Sequence, residues 1–193
     1  MKKHYCLIIT YECNWNCPYC IIDTHKRIIN KEQVLKNINT IEDNSIITIS
    51  GGEPGTQTLE FLEYLFSILF KKNCTLELTT NGLFLKKYPH LYNKFESILY
   101  HCSENLNNNI IKFQDPDNKI QYQLIITNEN YIRLEEFINK NIDITFQLQA
   151  DVKLNKLIGI KIWNKYKNII TPKSKYYLMN NVNKVDKKLL KIF

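Results

Sequence analysis

Apolar and polar positions change period several times along the chain. Residues 5–10 (YCLIIT), 45–50 (SIITIS), 74–80 (CTLELTT), 96–102 (ESILYHC), 119–127 (KIQYQLIIT) and 143–150 (DITFQLQA) are short, β-branched or alternating runs of strand length. The first reads as a buried strand. In the third, Leu76 and Leu78 alternate with Thr75, Glu77 and Thr79. Between these runs the period lengthens. Over 30–43, Val34, Ile38 and Ile41 share one helical face behind Asn30, a good N-cap. Over 58–72, Leu62, Leu65, Phe66 and Leu69 form a stripe that ends in lysines, which suit a helix C-terminus. A short helix is expected around Pro89 within 83–95, and another over 130–140, capped by Asn130. No helical period is visible in 103–118. Past Val152, LNKLIGIKIWNKYK (154–167) suits a last crossover helix, and Val182, Val185, Leu189 and Phe193 recur at helical spacing.

Strand, helix, strand, helix is the signature of parallel βα units. Six strands are too few for a complete eight-stranded barrel. The expected fold is therefore α/β, a partial (β/α)6 TIM-like barrel with parallel strands. The expected organisation is a core over 1–152 and a C-terminal helix or tail over 153–193 that packs on it. In such folds chemistry gathers beyond the C-terminal ends of the strands. Those ends carry Cys13, Cys17 and Cys20, then SGGEPG (50–55), TTNG (79–82), CSEN (102–105), TNEN (127–130) and QLQAD (147–151). Position alone collects these residues on one rim.

Composition narrows the class. The chain has 193 residues, 44% hydrophobic and 23% charged, an ordinary balance for one domain with a real core. No stretch of roughly 18 apolar residues occurs, so no membrane span is expected. The apolar run Cys6–Ile9 is too short for a signal-peptide core, so a cytoplasmic location is expected. In that compartment clustered cysteines point to metal or catalysis rather than disulfides. The net charge of +7 suits a solvated lysine surface or an acidic protein partner. The lysines are scattered and are not interleaved with aromatics, which argues against nucleic acid.

The cysteines ask the sharpest question. YECNWNCPYC (11–20) spaces three of them C-x3-C-x2-C. That is one short of a closed tetrahedral zinc site, and no second C-x2-C follows. His4 or His25 would complete a Cys3His site, which is the rival reading. Cys74 and Cys102 read as small buried hydrophobes, and Cys6 as core. Three thiolates on a four-iron cluster would leave one iron open to a ligand with an adjacent amine and carboxylate. In the next strand's exit, Gly51 and Gly52 allow close backbone approach, and Glu53 offers an acceptor for an amine.

Taken together, C-x3-C-x2-C after the first strand, an aromatic just before its last cysteine, and GGEP after the second strand resemble the radical S-adenosylmethionine (radical SAM) superfamily. The resemblance covers roughly residues 5–150. It implies that Cys13, Cys17 and Cys20 hold a [4Fe–4S] cluster and that S-adenosylmethionine chelates the open iron. It implies that Tyr19 lies near the adenine and that Gly51, Gly52 and Glu53 face the methionyl amine. It sets Thr79, Thr80 and Asn81 beneath cofactor or substrate and Ser103 toward ribose or methionine, with Gln149 as a further rim residue. The implied reaction is one-electron cleavage of the sulfonium to methionine and a 5′-deoxyadenosyl radical, which takes a hydrogen atom from substrate. No general base is required for that step. Asp23, Asp151 and Lys153 are candidate substrate-side groups.

A low-potential donor, flavodoxin or ferredoxin, is the expected electron source. These proteins are generally acidic, and a +7 chain suits them. No cysteine follows Cys102, so a single cluster is expected. Small relatives include glycyl-radical activases and 7-carboxy-7-deazaguanine synthases. CPYCIIDT echoes the latter, but Ile21 and Ile22 intervene before Asp23-Thr24. The substrate is read as a peptide, a protein or a small metabolite. The alternatives are a non-catalytic cluster protein and a zinc-binding module contacting nucleic acid, which leaves SGGEP without a role.

Overall fold

The computed structural model describes residues 2–20, 29–102, 110–141, 143–151, 154 and 156–172. Among the described residues there are six strands: β1 (His4–Thr10), β2 (Ile46–Gly51), β3 (Thr75–Thr80), β4 (Ser97–His101), β5 (Ile120–Ile126) and β6 (Phe146–Ala150). Among the same residues five α-helices accompany them: α1 (Lys31–Asn39), α2 (Leu59–Lys71), α3 (Leu83–Lys87), α4 (Leu134–Lys140) and α5 (Lys156–Tyr166). The strands follow in the order β1-β2-β3-β4-β5-β6. Their described pairings are all parallel, so the expected α/β fold class with parallel strands is the one found.

The chain forms two compact units. One spans Met1–His101 and Ile111–Gln121; the other spans Cys102–Ile110 and Tyr122–Phe193. The expected boundary at residue 152 falls within the second unit, and the tail from residue 173 lies outside the described residues.

In the first unit the parallel register runs Ile47↔Leu76 and Ile49↔Leu78 between β2 and β3, then Leu78↔Ile98 between β3 and β4. All five of these side chains are buried. They point to one face because strand side chains alternate. Against the unit's core, α2 contributes Phe61, Leu62, Leu65, Phe66 and Leu69. Its N-cap is Thr58, whose hydroxyl accepts from Phe61 N at 3.4 Å. Truncating a fully buried leucine such as Leu65 to alanine would cost about 2–5 kcal/mol. Asn30 caps α1 as expected, accepting from Glu32 N at 2.8 Å.

Several boundaries differ from the sequence reading. Helix α1 ends at Asn39, so Ile41 is buried from the turn beyond it. Pro89 does not sit inside one helix. It opens a separate 3-10 segment, Pro89–Lys94, after α3 has stopped at Lys87. That matches the bias of proline against the preceding helical residue and its suitability at a first turn. Cys6 is exposed, not core. In β1 the buried residues are Leu7, Ile9 and Thr10, and Cys6 points to the opposite face from Leu7. Cys74 and Cys102 are buried.

In the second unit β5 and β6 pair Leu124↔Leu148 and Ile126↔Ala150, with all four buried. Asn130 stands at the N-cap position of a 3-10 turn, but its side chain makes no capping bond there. Its side chain accepts from Thr127 N at 2.8 Å and donates to Ile125 O at 2.9 Å, which ties off the end of β5. A 3-10 turn, Tyr131–Arg133, precedes α4. The crossover helix expected near the C-terminus is α5, after which Ile170 bridges in parallel to Phe146.

Candidate functional site

The cysteine loop leaves β1 and is at once held by the exit of β2. Gly52 N donates to Thr10 O at 2.7 Å, and Glu53 N donates to Glu12 O at 2.7 Å. The two glycines belong to this contact. A Cβ on Gly51 would lie 2.2 Å from Thr10 O, and one on Gly52 would lie 2.1 Å from Glu12 O. Gly51 also has φ +129°, a conformation that favours glycine. The backbone they admit is that of the cysteine loop itself.

Glu53 is fully buried, and its carboxylate points away from that loop contact toward β3's exit. Oε1 accepts from Gly55 N (2.9 Å), Phe84 N (3.0 Å) and the Thr80 hydroxyl (2.8 Å). Oε2 accepts from Asn81 N at 2.7 Å and lies 3.0 Å from the same hydroxyl. Burial pushes the carboxyl above its ordinary range, while the backbone donors of Asn81, Gly55 and Phe84 and the Thr80 hydroxyl pull it back. A carboxylate so occupied has no oxygen left over for an ammonium group. The segment GGE thus works as a two-sided clamp. Its main chain grips the cysteine loop, and its side chain grips the TTNG turn.

Asn81 closes the triangle. Its Oδ1 accepts from Leu83 N at 3.1 Å. Its amide nitrogen donates to Asn14 Oδ1 at 2.8 Å and reaches Cys13 Sγ at 3.7 Å. Trp15 N reaches the same sulfur at 3.4 Å. Cys20 N donates to Cys17 O at 3.0 Å across the turn that contains Tyr19. Cys13, Cys17 and Tyr19 are part-buried and Cys20 is exposed; none of the three cysteines is in a disulfide. Burial raises the Cys13 thiol above its ordinary value, opposed by the Trp15 and Asn81 donors.

A [4Fe–4S] group fits this loop by donor chemistry. The ligands are soft sulfurs on one tight loop, in no disulfide, with N–H donors already aimed at one of them. His4 cannot complete a zinc site with them. It begins β1 while the cysteines follow its end, about 20 Å away at the rise of a strand. There it pairs with Thr48 and Glu77 instead, at 2.8 and 3.2 Å.

Of the other expected residues, Thr79 is part-buried in β3 next to the buried Thr80, in the same unit as the loop. Gln149 lies in β6 in the second unit, part-buried. Asp151 follows it and donates its N–H to Ile126 O at 2.8 Å. Ser103, Asp23, His25 and Lys153 lie outside the described residues. Sequence reasoning missed Asn14 and the main chain of Thr10, Glu12 and Phe84. Asn14 had a signal, being a polar side chain inside the cysteine motif; the backbone partners had none.

A family model of the Radical SAM superfamily matches residues 7–103, half of the chain. The chain belongs to the radical SAM superfamily. GTP 3',8-cyclase of Nautilia profundicola is 31% identical over 90 residues, 42% of this chain and 28% of that protein. GTP 3',8-cyclase of Haemophilus ducreyi is 31% identical over 162 residues, 79% of this chain and 43% of that protein. The chain thus spans less than half the length of these curated relatives. Among solved structures, native anSMEcpe with bound AdoMet and Cp18Cys peptide superposes with a TM-score of 0.61 at 19% identity. That alignment covers 87% of this chain and 59% of the other. The likeness shows the fold, the superfamily's partial TIM-like barrel. Members of the superfamily are enzymes that bind a [4Fe–4S] cluster and S-adenosylmethionine. No helix among the described residues is long and apolar enough to cross a membrane.

Proposed function

We propose that this chain is a radical SAM enzyme acting on a peptide, a protein or a small metabolite, with Cys13, Cys17 and Cys20 as the cluster ligands. The observation that carries the reading is the anchoring of the cysteine loop. Gly52 N and Glu53 N hold its backbone from β2, and Asn81 holds Cys13 from β3. The ends of two further strands are spent on fixing the one loop of thiols that leaves β1, which is the preorganisation a metal centre needs. When bound, the cluster and S-adenosylmethionine supply one-electron cleavage of a carbon–sulfur bond and a 5′-deoxyadenosyl radical.

The chain's own residues do the holding. Tyr19 is the aromatic placed for the adenine. Gly51 and Gly52 serve the methionyl amine through their main chain, and Glu53 serves it by holding that segment in place, because its carboxylate is engaged at β3's exit and its carbonyl accepts from Thr56 N and Oγ1. Thr79 and Asn81 stand at β3's exit in the same unit, and Ser103 and Gln149 complete the assignment. The electron donor is a flavodoxin or ferredoxin, in keeping with the net charge of +7. The relatives' names supply two substrates to try: GTP, and a peptide.

The test is anaerobic reconstitution followed by iron and sulfide counts, then dithionite and S-adenosylmethionine. About four irons per chain and release of 5′-deoxyadenosine, both lost in Cys17→Ala, would support the reading. GTP or a peptide that raises the release above the substrate-free rate would name the class. One zinc per chain and no 5′-deoxyadenosine would overturn it.

A further inference from the structure

We infer that Asn81 sets the reduction potential of the cluster by hydrogen-bonding the Cys13 sulfur; the inference rests on the cluster reading above. Three observations carry it. The first is orientation. Leu83 N donates to Asn81 Oδ1 at 3.1 Å, which fixes the carbonyl end of the side chain and turns the NH2 end toward the cysteine loop. A flipped amide would set two donors face to face there. The second is the pair of acceptors offered to that NH2 group. Asn14 Oδ1 at 2.8 Å takes one proton and Cys13 Sγ at 3.7 Å receives the other. The third is rigidity. Asn81 N is bound to the buried Glu53 carboxylate at 2.7 Å, so the residue cannot drift from the sulfur without breaking a buried, charge-assisted bond.

Reduction adds negative charge that spreads onto the ligand sulfurs. A donor aimed at a ligand sulfur stabilises the reduced form more than the oxidised one and raises the potential. Trp15 N contributes a second donor to Cys13 from within the loop, but that one is main chain. Asn81 is a side chain through which the sequence can adjust the value. It is a positioning residue, acting through Cys13.

The test is a redox titration of the reconstituted chain followed by electron paramagnetic resonance, with resonance Raman of the iron–cysteine stretches. Asn81→Asp keeps an oxygen for Leu83 N, removes the donor and adds a negative charge. Its midpoint should fall furthest below the wild-type value. Asn81→Leu should also fall, by less, and Asn14→Ala least, since it removes only a partner of the amide. In both Asn81 variants the stretch assigned to Cys13 should move to higher frequency as the sulfur loses its donor. Iron content per chain should stay at the wild-type level, which shows that the fold of the loop has survived. Four-iron variants with an unchanged midpoint and unchanged stretches would overturn this inference alone. A wild-type chain that takes up no cluster would overturn it together with the reading beneath it.

Discussion

Glu53 and Gln123 set the same physical problem in the chain's two units, and the two units answer it differently. Each is a polar side chain removed from water, with 0% and 2% of its surface exposed. Around Glu53 the first unit assembles four donors, three from the main chain and one hydroxyl. Gln123 sits in β5, and its Oε1 is the one buried side-chain oxygen or nitrogen among the described residues without a hydrogen-bond partner. A buried group costs little when paired and about 1–3 kcal/mol when not. The contrast separates a polar group that organises its surroundings from one that its surroundings merely tolerate. Glu53 binds residues 55, 80, 81 and 84 into one body with the cysteine loop. Gln123 ties its strand to the unit through its main chain, where its carbonyl accepts from Cys102 N at 3.0 Å.

The largest effect should therefore follow from Glu53→Leu. The substitution strands Gly55 N, Asn81 N, Phe84 N and the Thr80 hydroxyl in a dry site. Removing one partner from such a buried charged network costs about 3–5 kcal/mol. Urea denaturation of the metal-free protein is the measurement, so that cluster loss does not mask the change. Glu53→Gln keeps one oxygen and should lose less. Equal stability of Glu53→Leu and wild type would show that the clamp does not carry the fold.

Next in size is Gly52→Ala. A Cβ there would meet Glu12 O at 2.1 Å, a backbone atom that cannot swing aside. The cysteine loop must then move off β2. Iron uptake on reconstitution should drop well below the wild-type stoichiometry even where circular dichroism shows the helices intact. Full uptake would mean that the loop finds its geometry without that contact.

These two predictions also mark what the residues alone could disclose. The strands and the α2 stripe were legible because Leu62, Leu65, Phe66 and Leu69 carry their burial in their spacing. The three cysteines and GGEP were legible because both their order and their spacing are informative. The direction of Glu53 was not. Its motif suggested an acceptor for a ligand's amine, yet which way a side chain leaves the main chain depends on partners from another strand end, here residues 80, 81 and 84. The capping role given to Asn130 failed for a similar reason, since Thr127 and Ile125 compete for the same side chain. Cys6 was misplaced because an apolar run carries no sign of which of its members faces the core.

Gln123→Met should move stability the other way. It replaces an unpaired amide oxygen by an apolar chain of similar length and should raise stability by about 1 kcal/mol, or a few degrees in Tm. A loss of stability would show that the amide has a partner that matters more than its stranded oxygen.

His101 sharpens the comparison from a third side, because a partly buried group that can titrate has the option of discarding its charge. Burial lowers its imidazole from 6.5 to about 4. Between those two values the unfolded chain binds a proton that the folded chain refuses. Stability must therefore rise with pH across that window, and it falls away as the pH drops from 6.5 toward 4. Part of the residue's surface is exposed, so screening reduces the effect to under about 1 kcal/mol at pH 5.5. His101→Phe keeps the ring and removes the titration. The difference in Tm between variant and wild type should be flat above pH 7 and should shift in the variant's favour below 6.5. A difference that stays constant down to pH 4 would mean that His101 keeps its ordinary value. It would then belong with the polar groups that reach water rather than with Glu53 and Gln123.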